Sequence, residues 1–244
     1  MKKTTLSAVL LLLSFGIHAH QHDTAALVVD SYLSILNYDA LPADSTLVLH
    51  TTISYHGQPD TFYMTRYYTQ KGMMRVEVRN QQGDMLTGLC TNGKDRYRQY
   101  SRQLGWWEDQ EPDEFEVTLQ GYDFRGPLYN WRNRGIRLTY NGTSEVEGHI
   151  LQVVIAEQKN HFMRYYMFDT ENHLLNLVFE KDSMMEGSTL RGGIPIDWKV
   201  IHEYLPVRES LIVSEESFLR NGLYTIMKSS ATLEKRNPLL FNQD

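Results

Sequence analysis

From Leu47 onward the chain changes sides at every residue. Leu47, Leu49, Thr51, Ile53 and Tyr55 alternate with Val48, His50, Thr52 and Ser54. A period of two belongs to a strand, whose successive side chains leave opposite faces. The pattern recurs at 62–69 and at 74–79. In the latter Met74, Val76 and Val78 take one side and Arg75, Glu77 and Arg79 the other, which predicts a half-buried strand with one wet face. Segments 84–91 and 95–101 flank Asn92-Gly93, a dipeptide that supplies the positive φ angles of a hairpin turn. Alternation returns after residue 135. Segments 136–146 and 150–157 pair about Glu147-Gly148, 162–169 and 174–181 pair about 170–173, and further segments run to Leu233 with a turn at Arg220-Asn221-Gly222. Short turns between alternating segments predict a mainly β protein, one antiparallel sheet of about ten or eleven strands curled into an open half-barrel.

One helix precedes the sheet. Ala25, Val28, Val29, Tyr32 and Leu36 recur at three-to-four spacing behind a capping Asp23 or Thr24, and 37–44 with Pro42 ends the stripe. Before it, residues 1–19 read as a signal peptide. Lys2 and Lys3 form the basic end, Leu6 to Phe15 the apolar middle, and Ala19 the small residue at the cleavage point. The apolar stretch is shorter than the roughly 20 residues of a membrane-spanning helix. Residues 20–244 are then one exported domain in the periplasm, released rather than lipid-anchored because no cysteine stands at the cleavage point.

Composition narrows the class further. Cys90 is the only cysteine, so stability rests on burial. Removing Lys2 and Lys3 takes the formal charge from 24 − 30 = −6 to 22 − 30 = −8. An acidic chain without a basic run suits neither nucleic acid nor anionic lipid headgroups.

The search for chemistry is negative. The chain has no G-x-S-x-G, H-E-x-x-H, Walker or G-x-G-x-x-G motif, and the histidines from His50 to His202 stand singly. The acids between Glu108 and Glu116 lack the ligand spacing of a calcium loop and read as a solvated run. His20-Gln21-His22 behind a new amino terminus has the donors of a square-planar copper or nickel site, but chance explains it better and no metal is assigned. No cofactor is expected, and the chain reads as a non-enzyme.

The positive signal is aromatic. Trp106 and Trp107 adjoin a break in the alternation. Tyr122, Phe124, Leu128, Tyr129 and Trp131 then crowd a stretch punctuated by Gly121, Gly126, Pro127 and Gly135. Residues 121–135 read as a long functional loop or a short helix across the sheet. Their aromatics either cap the open core or form a movable lid over an apolar groove; both readings stand. Candidate wall residues of that groove are Met64, Met74, Val76, Val78, Leu151, Val153 and Ile155.

The order of elements resembles the periplasmic lipoprotein-carrier (LolA-like) superfamily, in particular its outer-membrane lipoprotein-sorting-like members. Thr91-Asn92-Gly93-Lys94 with Tyr97 and Tyr100 is similar to the family's turn and following strand. Arg164 to Asp169 with Leu174-Leu175 is similar to its late hairpin, and Asp197-Trp198 through Pro206 to the next strand. The resemblance implies a half-barrel whose concave apolar face holds acyl chains under helical segments. The expected function is a periplasmic, non-catalytic carrier or binding protein for lipid or lipoprotein acyl chains in outer-membrane biogenesis. Proteins of the outer or inner membrane are further expected partners. The alternative is a sensor or protein-interaction module on the same fold.

Overall fold

The computed structural model describes residues 23–93, 96–108, 122–158, 163–181, 197–220 and 222–241. The leader, the His20-Gln21-His22 motif, acidic residues 109–116, Gly121, the loop at 184–195 and Asn221 lie outside the described residues.

The strands are β1 (Ser45–Tyr55), β2 (Thr61–Thr69), β3 (Met74–Arg79), β4 (Met85–Thr91), β5 (Tyr97–Ser101), β6 (Gly105–Glu108), β7 (Arg137–Val146), β8 (His149–Glu157), β9 (Met163–Asp169), β10 (Leu175–Lys181), β11 (Asp197–Val207), β12 (Ser210–Arg220) and β13 (Leu223–Lys235). They form one open antiparallel sheet in the order β6-β5-β4-β3-β2-β1-β13-β12-β11-β10-β9-β8-β7. The expectation of about ten or eleven strands is therefore corrected to 13 among the described residues. One added strand is β6, where Trp106 and Trp107 adjoin the break in alternation: four residues are too few for a period of two to announce itself, yet they pair with β5 from Ser101↔Gly105 to Arg98↔Glu108.

A helix, α1, covers residues 23–36 and buries Ala25, Val28, Val29, Tyr32 and Leu36, the stripe its spacing marks out. Asn37 stops it in the left-handed region at φ 47, and a 3-10 turn follows at Tyr38–Ala40. Among the described residues no helix is long and apolar enough to cross a membrane.

The chain divides into two compact units. The first holds α1 up to Ile35 and residues 130–198. Its strands β7 to β10 form a meander. Glu147 and Gly148 turn β7 into β8 with φ of 52 and 83, the pair of positive angles a two-residue hairpin needs. Val154 pairs with Tyr166 and Gln152 with Phe168, and the Phe168 ring meets Tyr32 of α1 at 5.2 Å.

The second unit holds Leu36–Tyr129 and Lys199–Asp244. Its spine is β1, paired with β13 from Ser45↔Lys235 to Tyr55↔Thr225 and with β2 on its other side. Directly opposed residues share a face, so one face of this unit (the front) carries Leu47, Leu49, Met64, Tyr68, Met74, Val76, Val78 and Leu89. Leu47 and Leu49 are 2% and 0% exposed, and each such burial stabilises by about 1.5–3 kcal/mol.

The back of β3 is not the wet face its charges predict. Arg75 and Glu77 are buried. A 3-10 turn after β13, Pro238–Phe241, packs on this side, with Phe241 against Met73 and Cys90 and with Tyr67, Trp106 and Leu240 around them. The charges survive burial because they are paired: Arg75 meets Glu77 at 2.6 Å, and Arg79 reaches the other oxygen of Glu77 at 3.0 Å.

Candidate functional site

Residues 122–129 of the aromatic segment lie in the second unit, with Phe124 on its front against Tyr68. Described residues 123–135 form a succession of turns, so the loop reading holds for them. Gly126 N–H donates to the Asp123 carbonyl at 3.0 Å and Tyr129 N–H to the Gly126 carbonyl at 3.3 Å. Asp123 accepts both Arg125 Nε and Nη2 at 2.9 Å, and the guanidinium lies 4.3 Å from the centre of the Tyr129 ring. Burial pulls the Arg125 pKa down, but Asp123 outweighs it and holds the guanidinium above its ordinary value.

Phe124 is the centre of the site. Its ring packs 4.6 Å from Tyr68 of β2 and 5.0 Å from Tyr38 of the 3-10 turn, and Tyr38 also meets Tyr129 at 6.2 Å. The Tyr68 hydroxyl donates to the Tyr122 carbonyl, and the Tyr38 hydroxyl donates to the Phe124 carbonyl at 3.4 Å. Burial pushes the Tyr68 pKa up to about 12, so this phenol is a permanent donor at neutral pH. Beside these rings is a cavity of about 220 Å³, lined by Leu41, Leu47, Tyr68, Met73, Met74 and Phe124, with Asp39 and Arg125 at its polar side. Tyr38 and Tyr68 bond the main chain with their hydroxyls, and the Tyr129 hydroxyl donates to the Asp39 carboxylate at 3.3 Å, an arrangement suited to a site that is apolar inside and wet at the rim.

Of the residues singled out in the sequence, Met74, Phe124 and Tyr129 line the cavity, and Tyr122 is tied to its wall through Tyr68. Leu128 is buried in the same loop. Met64, Val76 and Val78 share the front farther along β2 and β3, with Met64 opposite Val78. Trp107 is also a front residue, in register through Gln99 and Leu89 with Val76. Trp106 is on the back, where the Arg75 guanidinium lies 4.9 Å from its ring centre. Alternation along β6 therefore divides the two tryptophans between faces.

Trp131 belongs to the first unit. Its indole N–H donates to Asp30 of α1 at 3.3 Å, and Arg132 donates to the same carboxylate at 2.9 and 2.6 Å. Leu151, Val153 and Ile155 are also in the first unit, opposite Asp169, Met167 and Tyr165. They take the face of β8 opposite to Val154 and Ala156; Val154 shares its face with Tyr166 and Phe168, on which Tyr32 packs.

The front of the second unit is not continuously apolar. Arg66 stands opposite both Leu49 and Val76 and donates to Thr51 Oγ1 at 3.1 Å, and Thr51 in turn bonds Ser229 at 2.8 Å. Burial would raise the Glu216 pKa, but Lys199 at 3.0 Å and the charge of Arg66 hold it below the ordinary carboxylate value. A polar residue on a strand keeps the period of two, so alternation does not distinguish this row from an apolar one. Tyr38 and Tyr68 are the other residues of the site that pattern reading passed over. Tyr68 has the parity of Met64, a signal present in the sequence; Tyr38 lies past the helix stop and carries none. Among the described residues no group of three or more His, Cys, Asp or Glu is placed to hold a metal ion.

This sheet and its N-terminal helix are a LolA-like fold. The chain superposes on a LolA superfamily protein from Nitrosomonas europaea with a TM-score of 0.57 at 9% identity, over 87% of this chain and 94% of that one. An outer membrane lipoprotein-sorting protein domain from Vibrio parahaemolyticus gives 0.54 at 9% identity, over 88% and 94%. A DUF1329 family protein from Desulfovibrio piger gives 0.58 at 10% identity, over 90% and 97%. No family model matches the chain, and no curated protein matches its sequence.

Proposed function

We propose that the chain is an exported, periplasmic, non-catalytic protein that binds the acyl chain of a lipid or lipoprotein under the loop that carries Phe124. The carrying observation is the seating of Phe124: an aromatic side chain held by turns, rather than by a regular element, occupies the apolar front between Tyr38 and Tyr68 beside a cavity. The cavity, about 220 Å³, is smaller than the roughly 300–1,000 Å³ of typical ligand sites. An acyl chain therefore needs the ring to leave. The fold shared with lipoprotein-sorting and LolA superfamily proteins supports the same reading.

The test is displacement of a fluorescent fatty acid combined with hydrogen exchange. Saturable binding with altered protection at 122–129, and unchanged protection in β1, is the expected result. Absence of binding to the folded protein, by both fluorescence and native mass spectrometry, overturns the reading.

A further inference from the structure

The middle of the front carries more hydrogen-bond donors than its own residues use. Arg66 Nη2 donates to Thr51 Oγ1 at 3.1 Å, and Thr51 shares a bond with Ser229 at 2.8 Å. Met227 stands opposite Ile53 on one side and Glu216 on the other, which puts Glu216 on the front, and with it Ser214 two residues earlier. Among the described residues, Arg66 Nε and Ser214 Oγ are buried without a hydrogen-bond partner. Ser214 as a whole is only 7% exposed. Their neighbours on the same face are apolar, Leu49 and Val76 opposite Arg66, and Ile212 two residues before Ser214. A buried donor among apolar side chains is costly to leave unmade, so each of these two calls for an acceptor.

The acids of this region are already engaged. Lys199 meets Glu216 at 3.0 Å, and the charge of Arg66 also acts on that carboxylate, which brings Arg66 and the residues beside Glu216 to the same part of the front. Asp123, whose charge acts on Tyr68, is held by Arg125 at 2.9 Å. Glu203, four residues from Lys199 along β11, is exposed to solvent. The position is also informative. Arg66 is two residues before Tyr68 on the same face, about 7 Å along the strand. Tyr68 is the ring on which Phe124 packs. A chain that takes the place of Phe124 against Tyr68 therefore has Arg66 within reach of its end.

We propose that Arg66 and Ser214 form the polar end of the acyl-chain site and receive the oxygens at the carboxyl end of the ligand, as a carboxylate or an ester carbonyl. Acceptor oxygens there take the Arg66 Nε–H and the Ser214 hydroxyl proton, while the alkyl part lies along Tyr68 toward the cavity. A hydrogen bond from a guanidinium is charge-assisted and stronger than a neutral one, so Arg66 carries most of the selection. This rests on the acyl-chain reading and specifies the end of the ligand which that reading left open.

The experiment displaces a fluorescent fatty acid from the full chain with probes of one chain length: laurate, methyl laurate and dodecyltrimethylammonium, whose head accepts no hydrogen bond. The unaltered chain should prefer laurate, its ester or both to the ammonium by about tenfold or more. Laurate above the ester assigns a free acid, and parity between those two assigns an ester-linked lipid. Arg66→Met keeps an apolar stem and leaves Glu216 with Lys199; it should bring all the probes within about twofold of one another. Ser214→Ala removes one small donor and should narrow the preference about threefold, so the test stands even where Arg66→Met does not fold. A purely structural role for the two residues, or a water on their donors, changes stability but keeps the ranking. Equal affinity of the unaltered chain for all the probes, or a ranking that survives in the folded variants, overturns the proposal and leaves the acyl-chain reading standing. No binding of the fluorescent fatty acid or of any probe overturns the acyl-chain reading, and this proposal with it.

Discussion

The hydroxyl of Tyr68 donates to the backbone carbonyl of Tyr122, joining a buried strand residue to the first described residue of the aromatic loop. This bond fixes where the loop starts on the front face. Replacement by phenylalanine keeps the ring against Phe124 and removes only the donor. Tyr68→Phe should lower stability by about 1–3 kcal/mol, since a carbonyl loses its partner. Exchange should quicken at 122–129 but not in β1. The phenol adds an alkaline signature. Its folded pKa of about 12 lies above the ordinary value, so its contribution is complete below about pH 10 and is lost as pH rises toward 12. Denaturation in that window should be less steep with pH for Tyr68→Phe. An unchanged slope would mean that another phenol controls it.

On the back face Gly88 is required by Trp106. A Cβ at this position would lie 2.9 Å from the indole Cη2, 2.4 Å from the Met85 methyl and 3.1 Å from the Val76 carbonyl. The methionine can move away. The indole is held between Arg75 and Tyr100, and the carbonyl is backbone. Gly88→Ala should cost about 1–3 kcal/mol by overpacking, with a shift in tryptophan fluorescence as the ring is displaced. A variant with unaltered melting and emission would show that β6 yields easily.

In the first unit, Asp30 gathers Trp131 and Arg132 onto α1. The Arg132 hydrogen bonds lower its pKa chiefly, burial opposes them, and the Trp131 N–H adds to the lowering. A folded pKa below the ordinary value of about 4 makes the sign definite: the contribution is present above that pH and is lost as pH falls through the lowered pKa. Both partners of the ion pair are well exposed, so solvent screens it and the loss should stay under about 1 kcal/mol. Asp30→Asn should melt slightly earlier at pH 7, and the gap should close as pH falls through the lowered pKa. A gap that persists in acid would assign the effect to packing rather than charge.

Legibility in the sequence followed the physics of each element. The α1 stripe was readable because Ala25, Val28, Val29, Tyr32 and Leu36 repeat at the helical period over several turns, and all five are buried. The strands were readable because alternation persists over five residues or more; β6 has four and was missed. What alternation cannot convey is which face meets what. Arg75 and Glu77 look like solvent residues by chemistry, but Trp106 of β6 lies over Arg75 and Leu240, more than 160 positions away in the chain, bonds it. Arg66 has the parity of an apolar wall and interrupts it. The aromatic cluster was visible as composition, but its division was not: Phe124 and Tyr129 pack with Tyr38, whereas Trp131 is held by Asp30.

That division sets the sharpest prediction. Phe124 and Trp131 belong to one aromatic run in the sequence, and as a single lid they would respond alike to truncation. Their surroundings differ. Phe124 sits at a cavity in a loop of turns, between two tyrosines that keep their own anchors through Tyr122 and Phe124 main-chain carbonyls. Trp131 is 5% exposed, its indole N–H is bonded to Asp30, and the Arg132 guanidinium stacks 4.2 Å from its ring centre. Phe124→Ala should enlarge the cavity, remove the obstacle to an acyl chain and tighten binding of a fluorescent fatty acid, at a stability cost below that of the second change. Trp131→Ala should cost about 3–5 kcal/mol, as for a buried aromatic, and leave the affinity of the folded fraction unchanged. Both quantities come from one set of titrations and melts on the two variants. Equal losses of stability with no gain in affinity for Phe124→Ala would make Phe124 ordinary core and close the route proposed for the acyl chain.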